Sequence, residues 1–357
     1  MKQLFILTIA LLFLMASQTQ AKKWRVNNNP GIDADTSSFA GAVADASSGD
    51  TIYLEPSGIS YVSANLDINK KLVIIGPGYF LGQNPLTQAN QGEARLDYDL
   101  NLYEGSDGTV IMGCHFTQDL RVDYSTNNIL IKRNYFSGND GRIILENSNT
   151  AGSNIMIVEN YLHYNYGGST YKYRATIDVT AGYSNLLIMN NFIKRTNPMY
   201  STINAITIES NSSAIIQNNV IYGDINNQSK LSSFTNNIFL NTNLVNDTLH
   251  DSFSNNISET DKIPDRFGRN LANVDMTEVF DTTCATCLSM DGMYQINPAS
   301  FAATYADHGG EVGMFGGTNP YVLSGIPPIP AIYFYDSPTS GSSSTGLDVE
   351  IGIKSNK

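Results

Sequence analysis

Five short segments alternate apolar residues with residues that can do chemistry: Leu100-Asn-Leu-Tyr103, Leu120-Arg-Val-Asp123, Ile143-Ile-Leu-Glu146, Ile177-Asp-Val-Thr180 and Ile206-Thr-Ile-Glu209. If each is a strand and the five stack in step, one outward column reads Asn101, Arg121, Ile144, Asp178 and Thr207. The neighbouring column reads Tyr103, Asp123, Glu146, Thr180 and Glu209. Stacked strands lie about 4.8 Å apart, which sets Asp123 beside Glu146 and Asp178 diagonal to Glu146. Close carboxylates can hold Ca²⁺, which takes several oxygen ligands, or can divide acid and base roles in glycoside hydrolysis. Asp123, Glu146 and Asp178 are therefore candidate metal ligands, with calcium the one cofactor suggested and none required. Arg121 is a candidate contact to a bound sugar. The plainer reading is that these charges solvate an exposed sheet face.

A second candidate is the run His163-Tyr-Asn-Tyr-Gly-Gly-Ser-Thr-Tyr-Lys-Tyr-Arg174, which leads onto the segment carrying Asp178. Tyr164, Tyr166, Tyr171 and Tyr173 have the shape to stack on sugar rings, and Lys172 and Arg174 the charge to neutralise a uronate carboxylate. Proton abstraction next to such a carboxylate needs that neutralisation and a base, for which Lys172, Arg174 or His163 would serve. Lys172, Arg174 and Asp178 are the candidate catalytic set. Long loops in compact folds are often functional, although a Tyr-rich loop can also simply pack on its own coil.

What positions these residues is an internal repeat. Asn128-Ile-Leu-Ile-Lys-Arg-Asn-Tyr-Phe136 aligns with Asn154 to Leu162, Asn185 to Ile193 and Ser213 to Ile221, with weaker copies at Leu231 to Phe239 and His250 to Ser258. Earlier copies end at Phe116 and Phe80. The pivotal position reads Gly78, Cys114, Asn134, Asn160, Asn191, Asn219, Asn237 and Asn256, at spacings of 36, 20, 26, 31, 28, 18 and 19 residues. Variable spacing around a fixed strand pattern is the mark of a β-solenoid; helical repeats hold a steadier period. Ile75, Ile111, Ile131, Ile157, Ile188, Ile216, Phe234 and Phe253 stand three positions before the pivot, and mostly Phe, Leu or Ile two after it. These columns line one interior on both sides of a bend. Asn suits the bend because it tolerates a left-handed conformation, and stacked Asn side chains can hydrogen-bond along the axis. The predicted fold is all-β: a right-handed parallel β-helix with an N-terminal capping helix and an extended C-terminal tail.

An open solenoid end needs a cap. Asp35-Thr36 followed by Phe39, Ala40, Val43 and Ala44 reads as a capped amphipathic helix, after which Thr51-Ile-Tyr-Leu54 begins the first coil. Past Asn256 the repeat fades into irregular chain. Ile326-Pro-Pro-Ile-Pro330 is stiff and extended, Ser337 to Gly346 a flexible linker, and Leu347 to Ile353 a last strand. The outward residues after the pivot (Tyr79, His115, Tyr135, Tyr161, Phe192, Val220, Ile238, Ile257) are too apolar to stay bare. The Pro-rich tail, with Ile326, Ile329, Ile332, Tyr333 and Phe334, is expected to cover part of them; a docking surface is the alternative.

Residues 1–21 read as a secretory signal: Lys2, an apolar stretch from Leu4 to Met15, and small residues ending at Ala21. No later run is long enough to be a transmembrane helix. The domain reading is 1–21 signal, 22–317 β-helix, and 318–357 Pro/Ser/Gly-rich tail ending in a strand, with a secreted or cell-surface location. The formal charge of −12 becomes −13 once Lys2 is removed, which argues against nucleic acid as a partner. Of three cysteines, Cys284 and Cys287 can close a small disulfide, and Cys114 reads as a core residue.

The helix leading into Gly49-Asp50-Thr-Ile-Tyr, and then Ile74-Ile-Gly-Pro-Gly-Tyr-Phe80, resemble the opening of pectin-lyase-like β-helix proteins. Ile131-Lys-Arg-Asn134 and the segment from Gly313-Met-Phe-Gly-Gly317 to Leu323-Ser-Gly-Ile-Pro327 resemble a group of secreted bacterial β-helix proteins. The resemblance spans nearly all of the chain after residue 21 and is specific for fold, since the superfamily includes lyases, hydrolases, adhesins and inert scaffolds. It implies a groove along the alternating row described first. The chain has no adjacent Asp-Asp pair or Gly-His-Gly, as the polygalacturonase pattern requires. It also lacks Trp-x-Asp-His and Arg-x-Pro-x-x-Arg, as in the main pectate lyase pattern. The expectation is a protein that engages polysaccharide, either as a lyase or glycoside hydrolase or as a non-catalytic adhesion or scaffold module.

Overall fold

The computed structural model describes residues 21–61, 64–123, 126–146, 152–165, 174–180, 182–197, 203–229, 231–245, 251–264, 268–344 and 346–355. Residues 1–20, nearly all of the segment expected to be a signal, and Tyr166, Tyr171, Lys172 and Tyr173 of the Tyr-rich run lie outside them.

The described chain winds into a right-handed parallel β-helix of three stacked sheets. Sheet 1 holds ten strands and precedes the Asn bend; sheet 2 holds eight and follows it; sheet 3 holds eight and carries the alternating polar row. All pairs within them are parallel, with partners such as Leu130↔Met156 in sheet 1, Phe136↔Leu162 in sheet 2 and Ile144↔Asp178 in sheet 3; a slip of register falls between Asn204 and Ile206. Inward side chains repeat from coil to coil. Ile111, Ile131, Ile157, Ile188, Ile216, Phe234 and Phe253 are all fully buried, and Phe116 stacks on Phe136 at 4.7 Å as Phe234 does on Phe253 at 4.4 Å.

At the bend the asparagines form a continuous ladder. Asn134 Oδ1 accepts from Cys114 N, and the Oδ1 of each of Asn160, Asn191, Asn219, Asn237 and Asn256 accepts from both the backbone N–H and the side-chain amide of the Asn one coil earlier. Asn270 adds a rung beyond the last sequence copy. The ladder satisfies buried polar groups that would otherwise cost about 1–3 kcal/mol each. The left-handed residue is not the pivot, however. It is the residue before it: Gly113, Arg133, Glu159, Asn190, Asn218, Asn236 and Asn255 all have φ between 54° and 70°. The pivot is Asn for its two-sided amide, and the left-handed cost falls on its neighbour.

The first coil departs from the sequence alignment by one residue. Ile74, not Ile75, pairs with Ile111, and Leu96, not Phe80, pairs with Phe116. Residues 78–93 leave the solenoid as an insertion, so Gly78 is not a ladder position. The chain also starts one strand earlier than expected, with Lys23–Val26 pairing to Thr51–Leu54. The capping helix is Phe39–Asp45, capped by Ser38 Oγ accepting from Gly41 N. It buries Phe39, Ala42 and Val43, while Ala40 and Ala44 are exposed. Asp35 serves Arg25 N instead.

The apolar outer face of sheet 2 is covered, but by a different segment from the one expected. Tyr161, Phe192, Val220, Ile238 and Ile257 pack beneath Val279, Ile296, Ala302, Val312, Met314 and Tyr321. This strap runs back along the left-handed column. Asn255 Nδ2 donates to Tyr305 O, Asn236 Nδ2 to Asp307 Oδ1, Asn190 Nδ2 to Met314 O and Gly316 O, and Arg133 Nη1 to Ile326 O. Gly113 ends the rail: a Cβ there would meet Pro327 Cγ at 2.6 Å, and φ is +70°. Cys284 and Cys287 within the strap are disulfide-bonded, and Cys114 is a buried core thiol. Of the Pro-rich tail, Ile326 is buried at the rail's end. Pro330–Asp336 then pairs antiparallel with Glu350–Ser355, leaving Ile332 and Phe334 exposed. The outer face of sheet 1 stays open, with Met156 and Ile215 exposed.

Candidate functional site

The outer face of sheet 3 has the register that its alternation dictates. Asp67, Asn101, Arg121, Ile144, Asp178, Thr207 and Asn226 stand side by side along the axis. The second column keeps step through the backbone: Tyr103, Asp123, Glu146, Thr180 and Glu209 each donate an N–H to the coil before. Tyr103 and Glu209 are exposed, Arg121, Asp123, Glu146 and Asp178 half-buried, and Asn101, Ile144 and Thr207 buried.

Arg121 is tied into a charge network. Its Nη2 lies 2.6 Å from Asp119 Oδ2, Nη1 2.7 Å from Glu146 Oε1, and Nε 3.3 Å from Asp99 Oδ2. Arg142, buried just before its strand, holds Asp119 by two bonds, Nε to Oδ1 at 2.9 Å and Nη2 to Oδ2 at 2.7 Å. Fork-to-carboxylate pairing of this kind fixes geometry as well as charge. Burial pushes the Asp119 carboxyl up to about 6, against the pull of Arg142 and Arg121. Asp178 is likewise pushed up by burial, with Arg142 and Arg174 opposing and Glu209 adding to the rise.

The three candidate metal ligands do not gather. Among the described residues, the one trio of His, Cys, Asp or Glu side chains with ligand atoms within 4.8 Å of one another is Asp281, Cys284 and Cys287, and its two sulfurs are joined in the disulfide. Asp123, Glu146 and Asp178 share the face, and Glu146 turns toward Arg121.

At the corner where sheet 2 gives way to sheet 3, the expectation that Tyr164 stacks on a sugar is overturned. Tyr164 lies two residues beyond inward Leu162 in the strand Tyr161–Asn165, and so points inward itself; it is fully buried. Its ring sits 3.8 Å from the Arg195 guanidinium and 5.5 Å from that of Arg142. Arg195 is fully buried; its Nε donates to Arg174 O, its Nη1 to Thr196 O, and its Nη2 has no hydrogen-bond partner among the described residues. Burial pushes this guanidinium down to about 10, still protonated at neutral pH. Gly138 precedes Tyr164 and Arg195 in the same column, leaving room for both. Arg174 is half-exposed, 3.6 Å from Asp140. His163 faces outward with Nε2 3.3 Å from Thr196 Oγ1, and burial, aided by Lys194, pushes its imidazole down to about 4.

The corner thus brings together Arg142, Arg174, Arg195, Tyr164 and Asp178 of a chain whose net charge is −12. Arg142 and Arg195 are not among the residues singled out from the sequence. Arg195 carried a readable signal: a cation two residues after inward Ile193 must be buried or must lie at a corner.

No family model matches the chain, and no curated protein does. Among solved structures it is similar to the crystal structure of pectate lyase Pel9A, at 13% identity and a TM-score of 0.51, over 84% of this chain and 98% of that one. The likeness is one of fold. No helix of the described residues is long and apolar enough to cross a membrane.

Proposed function

We propose that this protein binds an extended polysaccharide along the outer face of sheet 3, with carboxylates of an acidic polymer met at its corner by the half-exposed Arg174. The observation that carries the reading is that cationic corner, built into an acidic protein at the edge of a polar face that repeats coil by coil. A solenoid face matches the translational repeat of a polymer, and arginine forks suit carboxylates. Tyr103 offers an exposed ring on the same face. We read residues 1–21 as an export signal that places the protein outside the cytoplasm; an N-terminus at Lys22 in protein recovered from the producing cells tests that.

Cleavage of the polymer is a second reading, favoured by Asp178. A carboxyl pushed up by burial beside Arg174 is poised for proton transfer. Lys172 belongs to the same candidate set by its sequence position. The test uses the purified protein on neutral and uronic-acid polysaccharides, with calcium and with chelator, following retention in affinity gels, ultraviolet absorbance of unsaturated products and reducing ends. Retention on uronic-acid polymers that Arg174→Ala weakens supports binding. Absorbance and reducing ends rising together indicate a lyase, and reducing ends alone a hydrolase. No retention on any polymer sinks the proposal.

A further inference from the structure

The outer face of sheet 2 carries a second constellation, away from the polar groove and next to the insertion at 78–93. His115 and Ser137 lie on adjacent strands, His115–Phe116 and Tyr135–Gly138, offset by one pleat. His115 Nε2 is 2.7 Å from Ser137 Oγ, and His115 Nδ1 is 2.6 Å from Glu93 Oε2. Glu93 is delivered by the end of the insertion, where the backbone N–H of Phe80 donates to its other oxygen. Burial raises the Glu93 carboxyl, but the bond and charge of His115, the N–H of Phe80 and the charge of Arg95 together outweigh it and leave the group below its ordinary value. An ionised carboxylate only accepts, so Nδ1 of His115 must carry a proton and donate it. In the neutral ring Nε2 is then a bare lone pair, and the Ser137 hydroxyl donates to it.

We propose that Ser137, His115 and Glu93 are nucleophile, general base and orienting carboxylate of a hydrolase site for short-chain carboxylic esters. The three roles and both linking distances match what nucleophilic acyl transfer needs. His115 is stacked on Tyr135, ring centres 4.3 Å apart, which fixes the imidazole plane. Tyr135, raised by burial, is drawn back by its hydrogen bond with Ser137, so a second hydroxyl sits beside the nucleophile. The side chains of His115 and Glu93 are 12% and 28% exposed and Ser137 is half-buried, so the site is reachable from solvent. The half-buried rings of Phe80 and Tyr135, 4.7 Å apart, border it with an apolar wall suited to a small acyl group.

In the first half-reaction Ser137 Oγ forms a bond to the acyl carbon while its proton passes to His115 Nε2. The ester C–O bond then breaks, and the leaving alcohol oxygen takes that proton. In the second, water adds to the acyl carbon, giving a proton to His115. The bond to Ser137 breaks, Oγ recovers the proton, and the free acid departs. The sum is ester plus water to acid plus alcohol, with no other reactant. Glu93 holds the ring and stabilises the transient imidazolium.

The test treats the full protein with an alkyl fluorophosphonate and, separately, with an aryl acetate. We expect one phosphonate per chain, mapped to the peptide holding Ser137, and acetate release that Ser137→Ala abolishes. His115→Gln should slow both by at least about a hundredfold and Glu93→Gln by about tenfold or more. Melting curves of each variant separate loss of chemistry from loss of fold, and Ser137→Ala removes only a hydroxyl. A folded protein whose Ser137 stays unlabelled, or acetate release that persists in Ser137→Ala, overturns the assignment and leaves His115 as a strut for the insertion.

Discussion

Two outer faces of the same solenoid, built on the same alternation, have opposite fates. On sheet 2 the outward column is Tyr161, Phe192, Val220, Ile238 and Ile257, and the chain's own strap buries it. On sheet 3 the outward column is polar or charged at most positions, and its charged members are half-buried or exposed, with Arg121 already paired to Asp99, Asp119 and Glu146. The hydrophobic effect commits the first face to holding the molecule together. Pairing on the second limits what its charges lend to stability and leaves them available to a ligand that can compete for them. Substitutions on the first face should therefore move stability, and on the second, binding.

The largest expected effect is on the covered face. Phe192 is fully buried and stacks on Tyr161 and Tyr294, at 4.6 and 4.3 Å, so Phe192→Ala should cost about 3–5 kcal/mol by urea denaturation. Retention of polysaccharide by the folded fraction should not change; a parallel loss of binding would break the division between faces. Next is the ladder between sheets 1 and 2. Asn191→Ala removes an amide that donates to Ile157 O and Asn219 Oδ1 and accepts from Asn160 N, at a cost of about 1–3 kcal/mol in the same assay.

A third test sharpens the comparison through pH. Glu311 sits in the strap, with one oxygen buried and lacking a hydrogen-bond partner among the described residues, and burial pushes its carboxyl from 4.5 to about 7. Between those values the folded state holds a proton that the unfolded chain has released, so this group's contribution to stability falls as pH rises through that window. Glu311→Gln should flatten the change in melting temperature between pH 5.5 and 8; an unaltered slope would show that the strap is indifferent to that charge. The smallest change in stability is expected at Tyr103. Its removal should shift the unfolding free energy by no more than about 0.5 kcal/mol yet weaken retention on acidic polymers. Unaltered retention would remove Tyr103 from the groove.

The solenoid was legible because each coil repeats the same physical problem. Ile131, Asn134 and Phe136 recur as a unit, and an inward or outward assignment made once holds for every copy. The first coil departs from the pattern where repetition fails: residues 78–93 interrupt it, and Leu96 takes the place that the pattern gives to Phe80. The strap was not legible at all, since its contacts follow no period. Asn190 and Asn255 reach it from left-handed positions whose side chains look interchangeable in sequence. At the groove, alternation correctly aligned Arg121, Ile144 and Asp178, but it does not report which charges find one another. The pairings of Arg142 with Asp119 and of Arg195 with Tyr164 depend on how the corner closes.

The strap also sets a timetable. Residues 279–326 seal a face whose earliest members were made long before, and the bond between the hydroxyls of Tyr79 and Tyr321 joins residues 242 apart in the chain. A coil can stack on its predecessor as soon as it emerges, with neighbours only some tens of residues away. Sealing waits for the last quarter of the chain and requires the longest loop to close, which makes it the slow, final event of folding. Until then, the polypeptide presents a stripe of aromatic and aliphatic side chains, and any factor that escorts the unfinished chain would find its handle there.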